Sequence, residues 1–186
     1  MRIRQATMRD IPKLLALINN YAADGIMLPR TEFELAEGIR DFQVAESGRQ
    51  ILGCGALHYY TRSSGEIRSL AVSPSAKGSG VGRKLVEALE EEARMCGVSS
   101  LFAFTYVADF FARLGFQQVD RALLPLKAWK DCLRCPKFQN CDEIAVMKAI
   151  GPLQDSNQIM HTALPALTLP SELISLSVLK TNIDKR

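Results

Sequence analysis

A glycine-rich loop in the middle of the chain has the composition of a phosphate-binding site. Three glycines, Gly78, Gly80 and Gly82, lie between the basic residues Lys77 and Arg83, directly before a predicted helix. Glycine lets the backbone turn tightly and approach a ligand closely. The first amides of a helix lack partners within it and lie at the positive end of its dipole, so they bind anions. The pattern predicts a phosphate or pyrophosphate site, with an ordinary glycine-rich turn as the alternative.

Two common nucleotide-binding motifs fit this loop poorly. A Walker loop ends in Gly-Lys-Ser/Thr, whereas Gly82 is followed by Arg83 and Lys84. A dinucleotide-binding loop follows the first strand of a βαβ unit, whereas this loop follows several predicted strands. Neither motif therefore explains the loop.

A cysteine cluster is the second group of side chains that could do chemistry. Cys132 and Cys135 form a Cys-x-x-Cys pair, and Cys141 follows shortly after. Cysteines at such spacing can bind structural zinc, with Asp142 or a partner as the fourth ligand. Three interpretations stay open, namely a metal site, reduced thiols and a redox pair.

Alternating strands and helices must position these groups. Helices are predicted after Asp10, after Thr31, whose pairing with Glu34 resembles a capping box, and from Val81 to Gly97. Cys54 and Cys96 are expected in the core. Two further helices are predicted over Ala108–Leu114 and Lys127–Asp131. The predicted strands are Arg2–Ala6, Gln43–Glu46, Gln50–Tyr60, Glu66–Ser73, Ser100–Thr105, Phe116–Asp120 and Glu143–Ile150. This alternation indicates a mixed α/β sheet.

Composition narrows the class of protein. The chain has 186 residues, of which 47% are hydrophobic, and a net charge of +3, which is too small to indicate a nucleic-acid partner. The sequence has no apolar run typical of a signal peptide or membrane span, so we expect a cytoplasmic protein. We predict one domain over residues 1–150 and a tail over residues 151–186 that is disordered or docks on something.

Three motifs, in order, resemble the GNAT superfamily of acetyl-coenzyme A-dependent N-acetyltransferases. Lys77–Gly82 fits the family's Arg/Gln-x-x-Gly-x-Gly/Ala loop with Lys in place of Arg. The preceding Leu70–Pro74 matches its fourth strand, and Phe111–Phe116 matches its later helix-turn motif. The resemblance covers residues 1–150 and implies a mixed, mostly antiparallel sheet flanked by helices.

The resemblance implies that acetyl-CoA is the cosubstrate and that an amine attacks its thioester directly. The fourth strand would pair with the pantetheine arm, and one of its amides would polarise the acetyl carbonyl. The loop amides would hold the pyrophosphate. The coenzyme-binding residues implied are Leu70, Ala71, Val72, Lys77, Gly78, Ser79, Gly80, Val81, Gly82 and Arg83.

Glu66 is the candidate general base. Strand alternation predicts that Glu66, Arg68, Leu70 and Val72 share one face. A carboxylate there can take a proton from the amine directly or through water. The alternative is a solvated glutamate at the end of the strand.

Many family members place a tyrosine general acid where this chain has Phe111, so the usual acid is missing.

A narrower resemblance links the chain to the acetyltransferase domain of bacterial N-acetylglutamate synthases. It rests on Gly25–Arg30, Glu66-Ile67 and Leu101–Thr105. It implies that the Thr105 hydroxyl protonates the leaving thiolate, with Tyr106 as a second candidate.

The same resemblance implies that Arg30 binds the carboxylate of the amino acid, since guanidinium groups bind carboxylates in a bidentate manner. Arg68 is expected to assist because it is predicted to share the strand face of Glu66. The second carboxylate-binding arginine of those proteins has no clear match here. The candidates are Lys127, Lys130, Arg134 and Lys137.

The resemblance therefore predicts acetylation of the α-amino group of an amino acid, with L-glutamate as the expected substrate, in arginine biosynthesis. One alternative is acetylation of another small amine or a peptide N-terminus. A different class of alternative is a non-catalytic acyl-CoA sensor, which the absence of the tyrosine favours. Family resemblance also implies a homodimer. The small net charge and the absence of a long apolar run predict no nucleic-acid or membrane partner.

Overall fold

The computed structural model describes residues 1–124 and 132–151. Within them lie seven strands and four α-helices. These are β1 (Arg2–Gln5), α1 (Ile11–Ala23), α2 (Glu32–Glu37), β2 (Phe42–Ser47), β3 (Gln50–Tyr59), β4 (Ser64–Val72), α3 (Val81–Met95), β5 (Ser100–Thr105), α4 (Ala108–Ala112), β6 (Gln117–Gln118) and β7 (Ile144–Ala149). The helix predicted at 127–131 and the tail from 152 onward lie outside the described residues, and the domain limit at residue 150 stays a prediction.

The strands form a single sheet in the order β1-β2-β3-β4-β5-β7-β6. Neighbouring strands are antiparallel except β4 and β5, which are parallel. The predicted mixed, mostly antiparallel sheet is confirmed. Leu14 of α1 and Leu35 of α2 pack on one face of the sheet, and Val86 and Leu89 of α3 pack on the other. The helices thus cover both faces of the sheet.

Local sequence signals set where several elements begin and end. Thr31 Oγ1 accepts from the Glu34 amide at 3.2 Å, while Glu34 Oε2 accepts from the Thr31 amide at 2.9 Å, which is the predicted capping box at α2. Gly97, at φ 77°, follows the end of α3 in the left-handed conformation that favours glycine. These caps fix the helix ends next to the sheet.

The parallel strands β4 and β5 pair over only part of their length. Ser64–Glu66 pair with Ser100–Phe102, and both strands are described in full. Beyond Glu66, β4 continues to Val72 while paired only with β3. The backbone edge of β4 is therefore open in the middle of the sheet, where the two strands diverge.

A β-bulge interrupts β4 beside this divergence. Cys54 pairs with Ala71 and Ala56 pairs with Arg68, so two residues of β4 lie opposite one residue of β3. Ser69, within the bulge, has a φ of 51°, a left-handed conformation that is uncommon for a residue other than glycine.

The bulge changes which side chains share a face. Arg68 contacts Asp41 beside α2, whereas Leu70 packs in the core cluster of Leu89 on α3. The prediction that Glu66, Arg68, Leu70 and Val72 lie on one face is therefore wrong. Glu66 and Arg68 precede the extra residue and Leu70 and Val72 follow it, so the two pairs point to opposite faces.

The two cysteines outside the cluster lie in different surroundings. Cys54 is buried in β3, as predicted, and burial raises the pKa of its thiol to about 12. Cys96, predicted in the core, is exposed. It caps α3 after the last helical residue, so it no longer lies on the face that packs against the sheet.

Among the described residues, no helix has both the length and the hydrophobicity that crossing a bilayer requires.

Candidate active site

A cavity of about 440 Å³ lies where β4 and β5 diverge. Its walls come from the segment after α1, the middle of β4 (Glu66–Leu70), the end of β5 and the segment before β7. It brings together four residues predicted from sequence for catalysis or acceptor binding, namely Arg30, Glu66, Arg68 and Thr105. The cysteines Cys132, Cys135 and Cys141 also line it.

Glu66 is a buried carboxylate with a defined donor. It is 2% exposed, which excludes the alternative of a solvated glutamate at the strand end. The Tyr60 hydroxyl donates to Glu66 Oε2 at 3.1 Å, and the Tyr60 ring packs against Phe102 of β5. The carboxylate is thus oriented at the cavity wall, as a general base requires.

Arg68 and Arg30 bring two guanidinium groups to the cavity. The Arg68 guanidinium donates to Asp41 Oδ2 at 3.4 Å, and the same oxygen lies 2.9 Å from His58 Nδ1. Arg30 is placed by α1, because its amide donates to Asn19 Oδ1 and its carbonyl accepts from Asn19 Nδ2, both at 2.9 Å. Both arginine Nε atoms are buried. Planar, partly buried guanidinium groups suit bidentate binding of a carboxylate.

Thr105 ends β5 with a buried hydroxyl. Its Oγ1 accepts from the Val107 amide at 3.0 Å. A hydroxyl has one donor and two acceptor positions, so this bond orients Thr105 while its proton stays available to donate.

Tyr106, the second candidate acid, is engaged differently. Its hydroxyl donates to Asp142 Oδ1 at 2.7 Å and accepts from Lys137 Nζ at 3.0 Å. Partial burial and the Asp142 carboxylate raise its pKa, although the Lys137 ammonium opposes the shift. Because its proton already bonds Asp142, Tyr106 is less suited than Thr105 to protonate a leaving group.

Phe111, at the position of the family's tyrosine, belongs to an aromatic cluster. It is buried and packs edge to face with Phe110 and Phe116, with ring centroids 5.2 and 5.1 Å apart. It lines the cavity without an ionisable group. Any proton donor must therefore come from another element.

The glycine loop has the backbone that its sequence predicts. Gly78 and Gly80 have φ of 78° and 81°, and a Cβ at either would meet no atom within 4 Å. Their requirement for glycine is thus conformational. At Gly82 it is steric, because a Cβ would lie 3.3 Å from the Phe110 ring. Lys84 donates to Gly80 O at 3.1 Å in the helical pattern, so the amides of residues 81–83 form the free end of α3.

The loop and the cavity lie at opposite ends of the open edge of β4. Tyr21 of α1 joins the loop end, since its hydroxyl donates to Val72 O at 2.6 Å and Lys77 Nζ lies 5.0 Å from its ring centre. From Glu66 to Val72 the strand spans about 20 Å. A long ligand anchored at the loop can therefore reach the cavity along this edge.

The predicted zinc site is not supported. The described part of the chain contains no group of three or more His, Cys, Asp or Glu side chains arranged to hold a metal ion. Cys132 and Cys135 share one turn, while Cys141 Sγ lies 3.9 Å from Glu143 Oε2. Asp142, the suggested fourth ligand, bonds Tyr106 and Lys137 instead.

Arg121 is a cavity residue that the sequence patterns did not single out. Its guanidinium donates to the carbonyls of Cys141 and Glu143, the latter at 3.0 Å. Arg121 lies in the sequence between the Leu-Gly-Phe turn and the cysteine segment, and that position is the sequence signal that could have identified it as a site residue. Of the cations considered earlier, Lys137 lines the cavity, while Lys127, Lys130 and the side chain of Arg134 lie outside the described residues.

Comparisons with known proteins define the class. A family profile described as an acetyltransferase (GNAT) domain matches residues 38–118. A relative from Chlorobaculum tepidum, described as an uncharacterized N-acetyltransferase, is 40% identical over 148 residues, which is 80% of this chain and 96% of the relative. The chain belongs to the GNAT acetyltransferase family.

Within that family, the chain is similar to proteins that act on amino acids. The amino-acid acetyltransferase of Mycobacterium tuberculosis is 36% identical over 63% of this chain and 69% of its own length. N-acetylglutamate synthase from Neisseria gonorrhoeae, solved with coenzyme A and N-acetyl-glutamate, has a TM-score of 0.74 at 33% identity. That match covers 81% of this chain and 35% of the synthase.

Proposed function

We propose that this acetyltransferase transfers an acetyl group from acetyl-CoA to the α-amino group of an amino acid, with L-glutamate as the preferred acceptor. The observation that carries the proposal is the shared cavity, in which the buried Glu66 carboxylate lies with the guanidinium groups of Arg30, Arg68 and Arg121. A base beside several cations suits an amine that also carries carboxylates. The amino-acid acetyltransferase and the synthase named above support the same acceptor class.

The glycine loop and the open edge of β4 fit the donor. Acetyl-CoA supplies an acetyl group activated as a thioester. The free amides at the start of α3, with Lys77 and Arg83, hold its pyrophosphate in this proposal. The main chain at Leu70–Val72 offers hydrogen-bonding groups to the extended pantetheine arm, because this edge is not paired with β5.

Two side chains handle the protons of the reaction. Glu66 accepts a proton from the acceptor amine, directly or through water, with its carboxylate oriented by Tyr60. Thr105 donates its hydroxyl proton to the departing sulfur, in an orientation set by the Val107 amide. Backbone amides at the bulge in β4 polarise the acetyl carbonyl, since a bulge re-aims the groups around it.

The acceptor contacts assign one carboxylate to Arg30 and the other to Arg68. A dicarboxylic amino acid matches this pair, and the gonococcal synthase, which was solved with coenzyme A and N-acetyl-glutamate, supports a dicarboxylic acceptor. A role in arginine biosynthesis, a cytoplasmic location and a homodimer are further parts of the proposal.

The test is release of thiol from acetyl-CoA over a panel of acceptors. The panel contains L-glutamate, L-glutamine and the α-amide of glutamate, so that each carboxylate is removed in turn. We expect the highest kcat/KM with L-glutamate. If glutamate is inactive and another amine or a peptide N-terminus releases thiol, the acceptor assignment is wrong. Coenzyme binding without thiol release for any acceptor would indicate a sensor.

A further inference from the structure

Three thiols line the acceptor cavity, and the proposed chemistry uses none of them. Cys132, Cys135 and Cys141 are each half-buried and share the cavity wall with Arg30 and Glu66. None of the three is in a disulfide. In the described residues they are not gathered into a metal site, which leaves reduced thiols or a redox pair.

The turn that joins Cys132 and Cys135 is compatible with a disulfide between them. The Cys135 amide donates to the Cys132 carbonyl at 2.9 Å, which closes one turn of 3-10 helix. Such a turn brings the two Cα atoms within about 7 Å. A disulfide joins residues whose Cα atoms lie about 4.4–6.8 Å apart. Cys141 lies beyond a second turn, Phe138–Asn140, with its sulfur beside Glu143.

The segment that carries the thiols is tied to the cavity on both sides. Phe138 donates to the Cys135 carbonyl at 3.0 Å, so the first turn continues directly into the next. Lys137 bonds the Tyr106 hydroxyl at the end of β5, and Arg121 bonds the Cys141 carbonyl. A change in the first turn is therefore transmitted to the wall of the cavity.

We propose that Cys132 and Cys135 form a redox-active dithiol, and that its oxidation to a disulfide slows acetyl transfer by reshaping the acceptor cavity. The effect on rate rests on the proposed function. A half-buried pair at a cavity is open to a small oxidant, and cytosolic disulfides are usually transient or redox-sensing.

The oxidant is a small-molecule disulfide such as glutathione disulfide. One cysteine thiolate attacks it, forms a mixed disulfide and releases one glutathione. The second thiolate attacks the cysteine sulfur of the mixed disulfide, forms the Cys132–Cys135 bond and releases the second glutathione. The protein loses two electrons, the glutathione disulfide gains them, and the two cysteine protons end on the two released thiols. Excess thiol reductant reverses both steps.

Closing the bond should affect the rate because the sulfurs move. A disulfide holds its sulfurs about 2.05 Å apart, closer than two thiols in contact. Misplacement by about 1 Å near a reacting group can reduce a rate by about a hundredfold. We expect acetyl transfer to fall on the order of tenfold or more.

The experiment treats the 186-residue chain with glutathione disulfide and measures N-acetylated amino acid by mass spectrometry, since a thiol-release assay would detect the added reagents. Peptide mapping locates the disulfide. The expected result is a Cys132–Cys135 bond, a lowered rate, and recovery with a thiol reductant. Each rate is expressed relative to the same protein under reductant.

Three variants sharpen the test. The double variant Cys132→Ser/Cys135→Ser should have the same rate in glutathione disulfide as it has under reductant. A single Cys135→Ser change should stop the reaction at a mixed disulfide on Cys132. The matched control is Cys96→Ser, which removes an exposed thiol outside the cavity lining and should respond as the unchanged protein does.

Three results would contradict the proposal of a redox-active dithiol. These are a disulfide that joins Cys141 instead, a Cys132–Cys135 bond that leaves the rate unchanged, and a double variant that is still inhibited. Failure of the proposed function appears in a different sample, because the reduced protein would then acetylate no amino acid. The peptide map is read without any acetyl transfer, so it judges the pairing in either case.

Discussion

Among the residues of the cavity, Glu66 supplies an ionisable side chain, whereas Phe111 replaces the tyrosine that many family members have at that position. Glu66 is a buried carboxylate held in place by a phenolic donor at 3.1 Å, and we propose it as the base. Phe111 fills the position of the usual acid with a ring that only packs. The proton donor that we propose is instead Thr105, at the end of β5.

Replacing Glu66 with glutamine tests the base. The amide keeps the shape of the side chain but cannot accept the proton, so we expect kcat to fall by about 10²–10⁴. The dissociation constant of coenzyme A, measured by calorimetry, should be nearly unchanged. Tyr60→Phe, which keeps the carboxylate, should cause a smaller loss. A Glu66→Gln rate that matches the original protein at every pH would exclude Glu66 as the base.

Replacing Arg30 with glutamine tests the acceptor contact. Hydrogen bonds to charged groups contribute about 1.5–3 kcal/mol, so we expect KM for L-glutamate to rise by about tenfold to a hundredfold. The KM for acetyl-CoA should stay the same in steady-state kinetics. Arg113→Gln, an exposed arginine after α4, is the control. Equal effects of the two changes would argue against a carboxylate contact at Arg30.

At the scale of elements, the glycine loop offers a matched comparison. Gly80 in the loop and Gly48 in the turn between β2 and β3 both have positive φ, with no atom within 4 Å of a Cβ. Alanine at either position should therefore destabilise the fold similarly, by about 1–2 kcal/mol. Only Gly80→Ala should also weaken coenzyme A binding, by about tenfold or about 1.4 kcal/mol.

Thermal denaturation and calorimetric titration of both variants separate the two effects. A Gly80→Ala protein that binds coenzyme A as tightly as Gly48→Ala would show that the loop does not hold the ligand.

Elements with strong local signals could be predicted from sequence. β5 has the predicted bounds because Ser100–Thr105 is an almost continuous apolar run, and α2 begins at its predicted cap. The bulge in β4 could not be predicted, because Ser69 takes a positive φ without the glycine or asparagine that usually marks it. That single residue explains why the predicted shared face of β4 is wrong.

The site could be predicted in part for a similar reason. Glu66 and Thr105 lie on strands, so their positions follow from motif and periodicity. The metal prediction assumed that cysteines close in sequence are also arranged around one point. In the structure two successive turns separate Cys141 from the first pair, and the described residues contain no group able to hold a metal ion. Arg121 reaches the cavity through bonds to carbonyls distant in sequence, which no local pattern records.

At the scale of the whole molecule, one ionic network joins the edge of the sheet to the first helix. The Arg4 guanidinium donates to Asp10 at 2.8 and 2.9 Å and to Glu46 of β2 at 2.8 Å. Asp10 also accepts from the amide and hydroxyl of Thr7. The Arg4 guanidinium and these bonds hold the pKa of Asp10 well below its usual range, against the effect of burial.

Asp10→Asn should therefore destabilise the protein in a pH-dependent way. The folded pKa of Asp10 is depressed, so its contribution is present above the unfolded pKa of about 3.9 and is lost as pH falls further. We expect a loss of about 1–3 kcal/mol at neutral pH, since the remaining partners lose a charged acceptor. Urea denaturation at pH 7 and pH 3 should show the difference shrinking in acid. The exposed Asp24→Asn is the control, and a difference that is constant with pH would contradict the assignment.

The divergence of β4 from β5 has a consequence for how the family can change its substrates. In the proposed function, main-chain groups of β4, which substitutions do not remove, bind the donor there, while side chains such as Arg30 and Arg68 bind the acceptor. New acceptors can therefore arise by exchanging a few cavity residues without loss of the acetyl donor. For engineering, the open strand edge should be left unchanged, and a new acceptor should be sought by substituting side chains of the cavity.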